Sequence, residues 1–293
     1  MKYMNINKNK KIGFVVDSTI GDNIDVNFLS DICIVPLSII LNGKEYLDKK
    51  DNAFFLNCLK HKQQITTSQP NPQLFLKAFR QQLDAGYEHI VCLTISKKLS
   101  GTFNSAYQAK QILGNDNVTV IDSENIGPGV LFAVKQIHKY VYNTHLSYKE
   151  IFIKVMAEQK LGSCYFSLED LKQLVISKRI SQFKFFIGNL FKIKPILKFQ
   201  QGILTIEKNV RLWKNCFLYL IKSILKFKNS VAQKPIELNM MYVEDDIYLQ
   251  NLITEIKKLN DPDIKISIYG PISSIIAVHL GSKGFGFYLN ILT

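Results

Sequence analysis

The chain has 293 residues, 47% of them hydrophobic and 21% charged, a balance that excludes wholesale disorder and leaves length for two domains or one large one. No apolar run approaches the roughly 18 residues of a membrane span, and the lysine-rich start (Lys2, Lys8, Lys10, Lys11) lacks the apolar stretch of a secretory signal, so a cytoplasmic protein is expected. The formal charge of +13 is spread along the chain with no basic block or aromatic-interleaved motif; coding bias towards Lys, Ile, Asn, Phe and Tyr accounts for it, and no nucleic-acid partner is expected.

Residues 11–16 predict a buried strand of a parallel sheet, ended by Asp17, Ser18 and Thr19. Open α/β sheets place their ligand crevice at the carboxyl ends of such strands. Asp17 either holds a loop or contacts a ligand, and the structural role is preferred. Residues 32–41 predict a second extended segment with Asn42-Gly43 as its turn, and 45–51 read as polar and turn-like. Thr66, Thr67, Ser68, Gln69, Pro70, Asn71 and Pro72 make a rigid, hydroxyl-rich loop before an amphipathic helix bearing Leu74, Phe75, Ala78 and Phe79. One hydroxyl suffices for a cap; three in a row point equally to a ligand.

Residues 90–95 are an almost wholly apolar run, followed by Ser100-Gly101-Thr102 and then Phe103, Ala106, Tyr107 and Ala109 at helical spacing. Strand, small-residue turn and helix is an arrangement that turns backbone N–H groups towards an anion. Ser100 or Thr102 either caps an ordinary turn or lends its hydroxyl to a ligand. Residues 118–121 predict a strand ending in Asp122-Ser123; Gly127-Pro128-Gly129 opens a helix through Tyr140, and 147–162 predict another, with Gly162 as its cap. The order predicts a mostly parallel sheet with helices on both faces.

Beyond residue 163 the pattern changes. A strand (165–168), a short helix (168–176), a hairpin (193–199 and 203–208 about Gln200-Gln201-Gly202) and a long helix (212–226) are expected. A strand (236–243), a helix (247–259), a strand (264–269), a turn at Gly270-Pro271 and a last apolar run (285–292) follow, which reads as a second, α+β domain. Cys33, Cys58, Cys92, Cys164 and Cys216 are scattered without C-x-x-C, so neither a disulfide framework nor a zinc site is expected. His138 and His145 read as ordinary helix residues.

Taken together, Val15-Val16-Asp17-Ser18-Thr19, Thr66-Thr67-Ser68-Gln69-Pro70, Leu99-Ser100-Gly101-Thr102-Phe103-Asn104-Ser105-Ala106 and Val120-Ile121-Asp122-Ser123 fall in a telling order. Arg179-Ile180-Ser181, Lys194-Pro195-Ile196-Leu197, Arg211, Gly270-Pro271 and His279-Leu280-Gly281 continue it. The set resembles the DegV family of bacterial fatty-acid-binding proteins over essentially the whole chain. Its specific part is the pair T-S-Q-P and L-S-G-T-F-x-S-A.

The resemblance implies a two-domain α/β protein. Residues 1–162 would form an N-terminal three-layer α/β/α domain on a mostly parallel sheet, and 163–293 a C-terminal α+β domain on a mixed sheet, with an approximate boundary. It implies a long-chain fatty acid buried between the domains, its carboxylate held by Thr67 and Ser68, by Ser100 with the Gly101 N–H, and by His279. Asn104 is a further candidate, Arg179 would support the head group, and Arg211 would face a partner. That partner would be an ATP-dependent fatty-acid kinase making acyl phosphate for phospholipid synthesis. ATP and magnesium would belong to the kinase; the chain itself would be a lipid-binding protein with no cofactor and no metal. A transient membrane surface stays open as a second partner.

Three departures stand out. Ser177 and Lys178 replace the two glycines usual before the arginine, Lys283 stands where a glycine is usual, and Lys97 and Lys98 replace small residues before Leu99. The physics of such a ligand suits the residues: chain burial is worth about 0.8 kcal/mol per CH₂, and the carboxylate must be hydrogen-bonded to leave water. One rival is a serine hydrolase using Ser100 or Ser68 with His279 and Asp17 or Asp122, although the G-x-S-x-G elbow is absent. Another is a carrier for a different carboxylate or lipid ligand.

Overall fold

The computed structural model describes residues 12–21, 32–48, 52–61, 63–169, 171–180 and 193–292. Lys2, Lys8, Lys10, Lys11, positions 49–51 of the polar segment, and Ser181 lie outside the described residues.

The first half begins with β1 (Ile12–Asp17), a 3-10 turn (Ser18–Ile20), β2 (Ile32–Val35), β3 (Ser38–Leu41) and β4 (Lys44–Leu47). It continues through α1 (Asn52–Lys60), β5 (Ile65–Ser68), α2 (Pro72–Asp84), β6 (His89–Thr94), α3 (Thr102–Leu113), β7 (Val118–Asp122), α4 (Gly127–Asn143) and α5 (Tyr148–Leu161). Four strands in the order β2-β1-β6-β7 make an all-parallel sheet. Side chains alternate across a strand, so Val15, Ile90 and Cys92 pack under α2 and α3 while Phe14, Val16, Val91 and Leu93 pack under α4. This is the expected α/β/α sandwich. Helix starts follow local chemistry: Asn71 Oδ1 accepts from Gln73 N at 2.9 Å just ahead of Pro72, and Ser147 and Glu150 form a reciprocal capping box.

The second half runs through β8 (Ser163–Leu168), α6 (Lys172–Ile176), β9 (Lys194–Gln200), β10 (Ile203–Val210), α7 (Trp213–Ser230) and β11 (Ile236–Tyr242). It closes with α8 (Ile247–Lys257), β12 (Ile264–Pro271), α9 (Ser274–Leu280) and β13 (Gly284–Ile291). A separate six-stranded sheet, ordered β10-β9-β8-β13-β11-β12, is antiparallel except for its β11–β12 pair. One face (Ile196, Leu238, Phe287) is covered by Leu220 and Ile224 of α7 and Leu249 and Leu252 of α8. The opposite face, carrying Phe166, Leu197, Phe199 and Tyr288, shares one core with α4; the Phe132 and Tyr288 rings lie 5.9 Å apart. Gly162 ends α5 with an extended backbone, and a Cβ there would meet Tyr288 Oη at 2.5 Å. Close approach of two elements, rather than a left-handed cap, calls for glycine at 162.

Several expectations are corrected. The segment 32–41 is not one strand: Pro36 falls between β2 in the parallel sheet and β3, which joins β4 and β5 in a third, antiparallel sheet ordered β4-β3-β5. Asn42 (φ 50°) and Gly43 (φ 82°) do turn the chain, but Lys44–Leu47 beyond them is a strand rather than a turn. Thr66, Thr67 and Ser68 belong to β5, not to a loop. α1 and α9 were not foreseen, and β12 extends through Gly270-Pro271, where its register with β11 shifts.

The tip of the β9–β10 hairpin, Gln201 (φ 50°) and Gly202 (φ 74°), reaches the corners of the parallel sheet. Gly202 N donates to the Glu124 carbonyl at 2.8 Å, and Lys98 Nζ to the Gln201 carbonyl at 3.2 Å. α9 returns across the molecule to pack on α1 and β5. All five cysteines are free.

Candidate functional site

Between the carboxyl end of β6, the inner face of β8, β9 and β10, and one side of α9 lies a cavity. Leu37, Ile95, Leu99, Ile126, Phe166, Leu174, Phe199, Leu204, Ile275, Ile276 and Leu280 line it. Among the described residues, its polar lining comes from Thr67, Ser100, Arg179 and His279. This is the crevice beyond the strand ends that an open α/β sheet provides, roofed by a second sheet.

The four polar residues come from four separate elements. Thr67 projects from β5, and its Oγ1 lies 2.7 Å from Nε2 of His279 at the end of α9. The His279 Nδ1 is buried and has no hydrogen-bond partner among the described residues. Burial, then the nearby Arg179 charge, pulls the His279 pKa down to about 4, so the ring is neutral at neutral pH. Arg179 follows α6, donates from Nη1 to the Ser177 carbonyl at 2.7 Å, and has its own pKa lowered by burial. Ser100 shares a 2.8 Å hydrogen bond with the Thr102 hydroxyl and accepts from Thr102 N at 3.3 Å. The N-cap position of α3 is Gly101 and lacks a side-chain cap bond, so the Ser100 hydroxyl forms a local turn beside the cavity.

The other residues singled out in the sequence lie elsewhere. Ser68 follows Thr67 on β5, and adjacent strand residues face opposite sides, so it is outside the lining and pairs across from Ser38. Gly101 is also outside the lining; the Gln69 side chain occupies the space over its Cα. Asn104 is exposed on the outer side of α3. Arg211 is exposed in a different groove, with Lys208, Asn209, Tyr219 and Lys222. Lys178 adopts φ 56°, the left-handed region that glycine favours, so the turn before Arg179 keeps that shape with a lysine in it. Lys283 lines a polar groove with Lys60, Glu169 and Lys172 that shares Leu280 with the cavity.

Asp17 and Asp122 serve the backbone. The buried Asp17 carboxylate accepts from Ile95 N at 2.6 Å, from Thr19 N at 3.0 Å and from the Thr19 hydroxyl, tying the ends of β1 and β6 together; burial outweighs these bonds and raises its pKa. Asp122 accepts from Lys97 N at 3.1 Å and Glu124 N at 3.0 Å. His279 is therefore engaged by Thr67 rather than by Ser100 or a carboxylate, and the relay of a serine hydrolase is not assembled among the described residues. No group of three or more His, Cys, Asp or Glu is placed to hold a metal among the described residues, and no described helix is long and apolar enough to cross a membrane.

Sequence reasoning gave no role to Gln69, whose Nε2 donates to the buried Ser105 hydroxyl at 2.8 Å. The signal was present: a glutamine before Pro70 in one motif and a serine one helical turn after Gly101 in the other. The apolar walls were not identified either, because each of those residues is indistinguishable in sequence from ordinary core.

The family model for DegV proteins matches residues 11–290. A DegV domain-containing protein of Staphylococcus aureus (strain COL) is 31% identical over 275 residues, covering 93% of this chain and 96% of the relative. One from Listeria innocua is 29% identical over 290 residues, covering 97% and 99%. Among solved structures, a fatty-acid-binding DegV family protein from Thermus thermophilus superposes with a TM-score of 0.85 at 25% identity, covering 96% of this chain and all of that one. A stearic-acid-binding protein from Eubacterium ventriosum shares the fold with a TM-score of 0.84 at 22% identity, covering 96% and 98%.

Proposed function

The chain belongs to the DegV family, and from that premise we propose that it binds one long-chain fatty acid, its tail in the apolar cavity and its carboxylate at the Thr67–His279 end. The observation that carries this reading is the cavity itself, a slot with eleven apolar side chains and four polar ones in its lining. The fatty-acid-binding relative from Thermus thermophilus supports it. Affinity comes from the tail, at about 0.8 kcal/mol per buried CH₂, and the polar end fixes orientation.

The head-group chemistry follows from the hydrogen bonds. A buried N–H without a partner is the rarer and costlier orphan, so His279 leaves Nδ1 as the bare acceptor and carries its proton on Nε2, donating to Thr67 Oγ1. The Thr67 hydroxyl hydrogen is then free to donate into the cavity, and Ser100 offers a second hydroxyl. Arg179 balances the charge from the side of α6. Hydroxyl donors hold a carboxylate without locking both its oxygens in an arginine fork, which suits an acid that must react further.

The reading extends to a role as the acid-presenting partner of an ATP-dependent kinase. There a carboxylate oxygen of the bound acid attacks the γ-phosphorus of ATP, the bond to ADP breaks, and acyl phosphate and ADP result; ATP and magnesium come with the kinase. The division at about residue 162 into two domains, with the acid between them, belongs to the same proposal.

Native mass spectrometry of the protein as purified tests the binding. A co-purifying fatty acid is expected at one per chain, and Thr67→Ala with Ser100→Ala together should lower retention of a long-chain acid about thirtyfold while the fold persists, for two hydrogen bonds of about 1 kcal/mol each. A protein that carries no acid and takes none up from solution would refute the reading.

A further inference from the structure

We propose that Gln69 is a positioning residue which sets the spacing between the Thr67 and Ser100 hydroxyls, and that Gly101 is glycine to seat it. The inference rests on the fatty-acid reading above.

Thr67 and Ser100 belong to different parts of the fold. Among the described residues, β5, which carries Thr67, is an edge strand of the small sheet, paired with β3. Ser100 sits in the corner between β6 and α3, which belongs to the parallel sheet. Gln69 lies one residue beyond the end of β5, and its side chain crosses to α3, where Nε2 donates to Ser105 Oγ at 2.8 Å. Ser105 is 1% exposed, so that hydroxyl has little access to water as a substitute partner.

The same amide lies flat against Gly101. A Cβ on residue 101 would stand 1.7 Å from Gln69 Oε1 and 2.7 Å from its Cδ. The backbone at 101 is ordinary, with φ −73° and ψ 4°, so glycine is needed here for space and not for conformation. The glutamine thus grips the first turn of α3 at two points, over the N-cap and at the serine one turn on. Thr67 is two residues from this grip on one side and Ser100 is one residue from it on the other. The T-S-Q-P and L-S-G-T-F-x-S motifs are in this way two halves of one joint: glutamine in the first, glycine and serine in the second.

The test is a double-mutant cycle read on two scales, affinity for a fluorescent long-chain fatty acid and thermal unfolding. Gln69→Ala loses the hydrogen bond, and Gly101→Ala displaces the amide from its seat. Each is expected to weaken binding about fivefold, which is one hydrogen bond of about 1 kcal/mol, and Gln69→Ala, which leaves the buried Ser105 hydroxyl without its donor, also to lower the unfolding temperature while the protein still folds. The double variant should bind no more weakly than either single one, because both remove the same joint. Gln69→Asn, one methylene too short to span the gap, should behave as Gln69→Ala and serves if the alanine variant does not fold. The NMR shift of a fatty acid isotopically labelled at its carboxyl carbon should differ between wild type and Gln69→Ala, which a purely structural role would not produce. Unchanged affinity and carboxyl shift in the Gln69 variants, or losses that multiply in the double variant, would overturn the inference while leaving fatty-acid binding standing. A wild-type protein that takes up no fatty acid would overturn both.

Discussion

His279 is held in its neutral form by its surroundings, and this has a consequence for pH. Its folded pKa of about 4 lies below the ordinary value of 6.5. Between those values the unfolded chain binds a proton that the folded chain refuses, so the stability present above pH 6.5 is lost as pH falls towards 4. The span corresponds to something of the order of 3 kcal/mol. Denaturant unfolding between pH 4 and 7 should show a shallower dependence for His279→Gln than for wild type. A bound carboxylate would favour the protonated ring, so loading with fatty acid should also flatten the curve. Equal slopes for wild type and His279→Gln would mean that the ring is not buried as a neutral base. How little of this pair is written in the sequence is plain from its separation: Thr67 and His279 are 212 positions apart. Thr67 was legible only as a hydroxyl in a loop ahead of a helix and His279 only through the family pattern, which placed both at the carboxylate; neither periodicity nor spacing gave their contact.

At the level of elements, burial decided what was legible. β1 and β6 are buried on both faces and read as continuous apolar runs, which is why the parallel sheet was foreseen. β4 is largely exposed and β5 is hydroxyl-rich, so both read as turn or loop. α9 fails for the opposite reason: Ser274 to Val278 are all buried, and a helix apolar all round has no amphipathic period to detect. The β9–β10 hairpin was legible from Gly202, but its docking was not. Gly202 has φ 74°, and a Cβ there would stand 3.0 Å from Ser96 Oγ and 3.1 Å from Lys98 Cδ. Gly202→Ala should therefore cost about 1–2 kcal/mol of stability from the left-handed backbone and loosen the tip from Glu124. Faster amide exchange of residue 202 is the expected signature, while a variant as stable and as protected as wild type would show that the tip tolerates the change. Because Phe199 and Leu204 line the cavity on either side of this tip, the same contact sets one wall of the slot.

Across the whole molecule, the charge of +13 is spread along the sequence, and basic residues line two grooves outside the cavity. One, beside Leu280, brings together Lys60, Lys172 and Lys283 with Glu169. The other brings Lys208, Arg211 and Lys222 together on β10 and α7, with Leu218 exposed among them. No residue of this second groove lines the apolar cavity. On the proposed reading, binding and presentation are separable by position, because Arg211 shares no lining residue with the cavity. Arg211→Ala should retain its fatty acid by native mass spectrometry, yet form acyl phosphate about fivefold more slowly or worse with the cognate kinase, as interfacial arginines are over-represented among residues whose loss costs more than about 1 kcal/mol. The deficit should appear as weaker association with the kinase and shrink as the kinase concentration rises. Loss of the bound acid in Arg211→Ala would instead mean that the two surfaces communicate through the six-stranded sheet, and the separation of slot from docking groove would have to be abandoned.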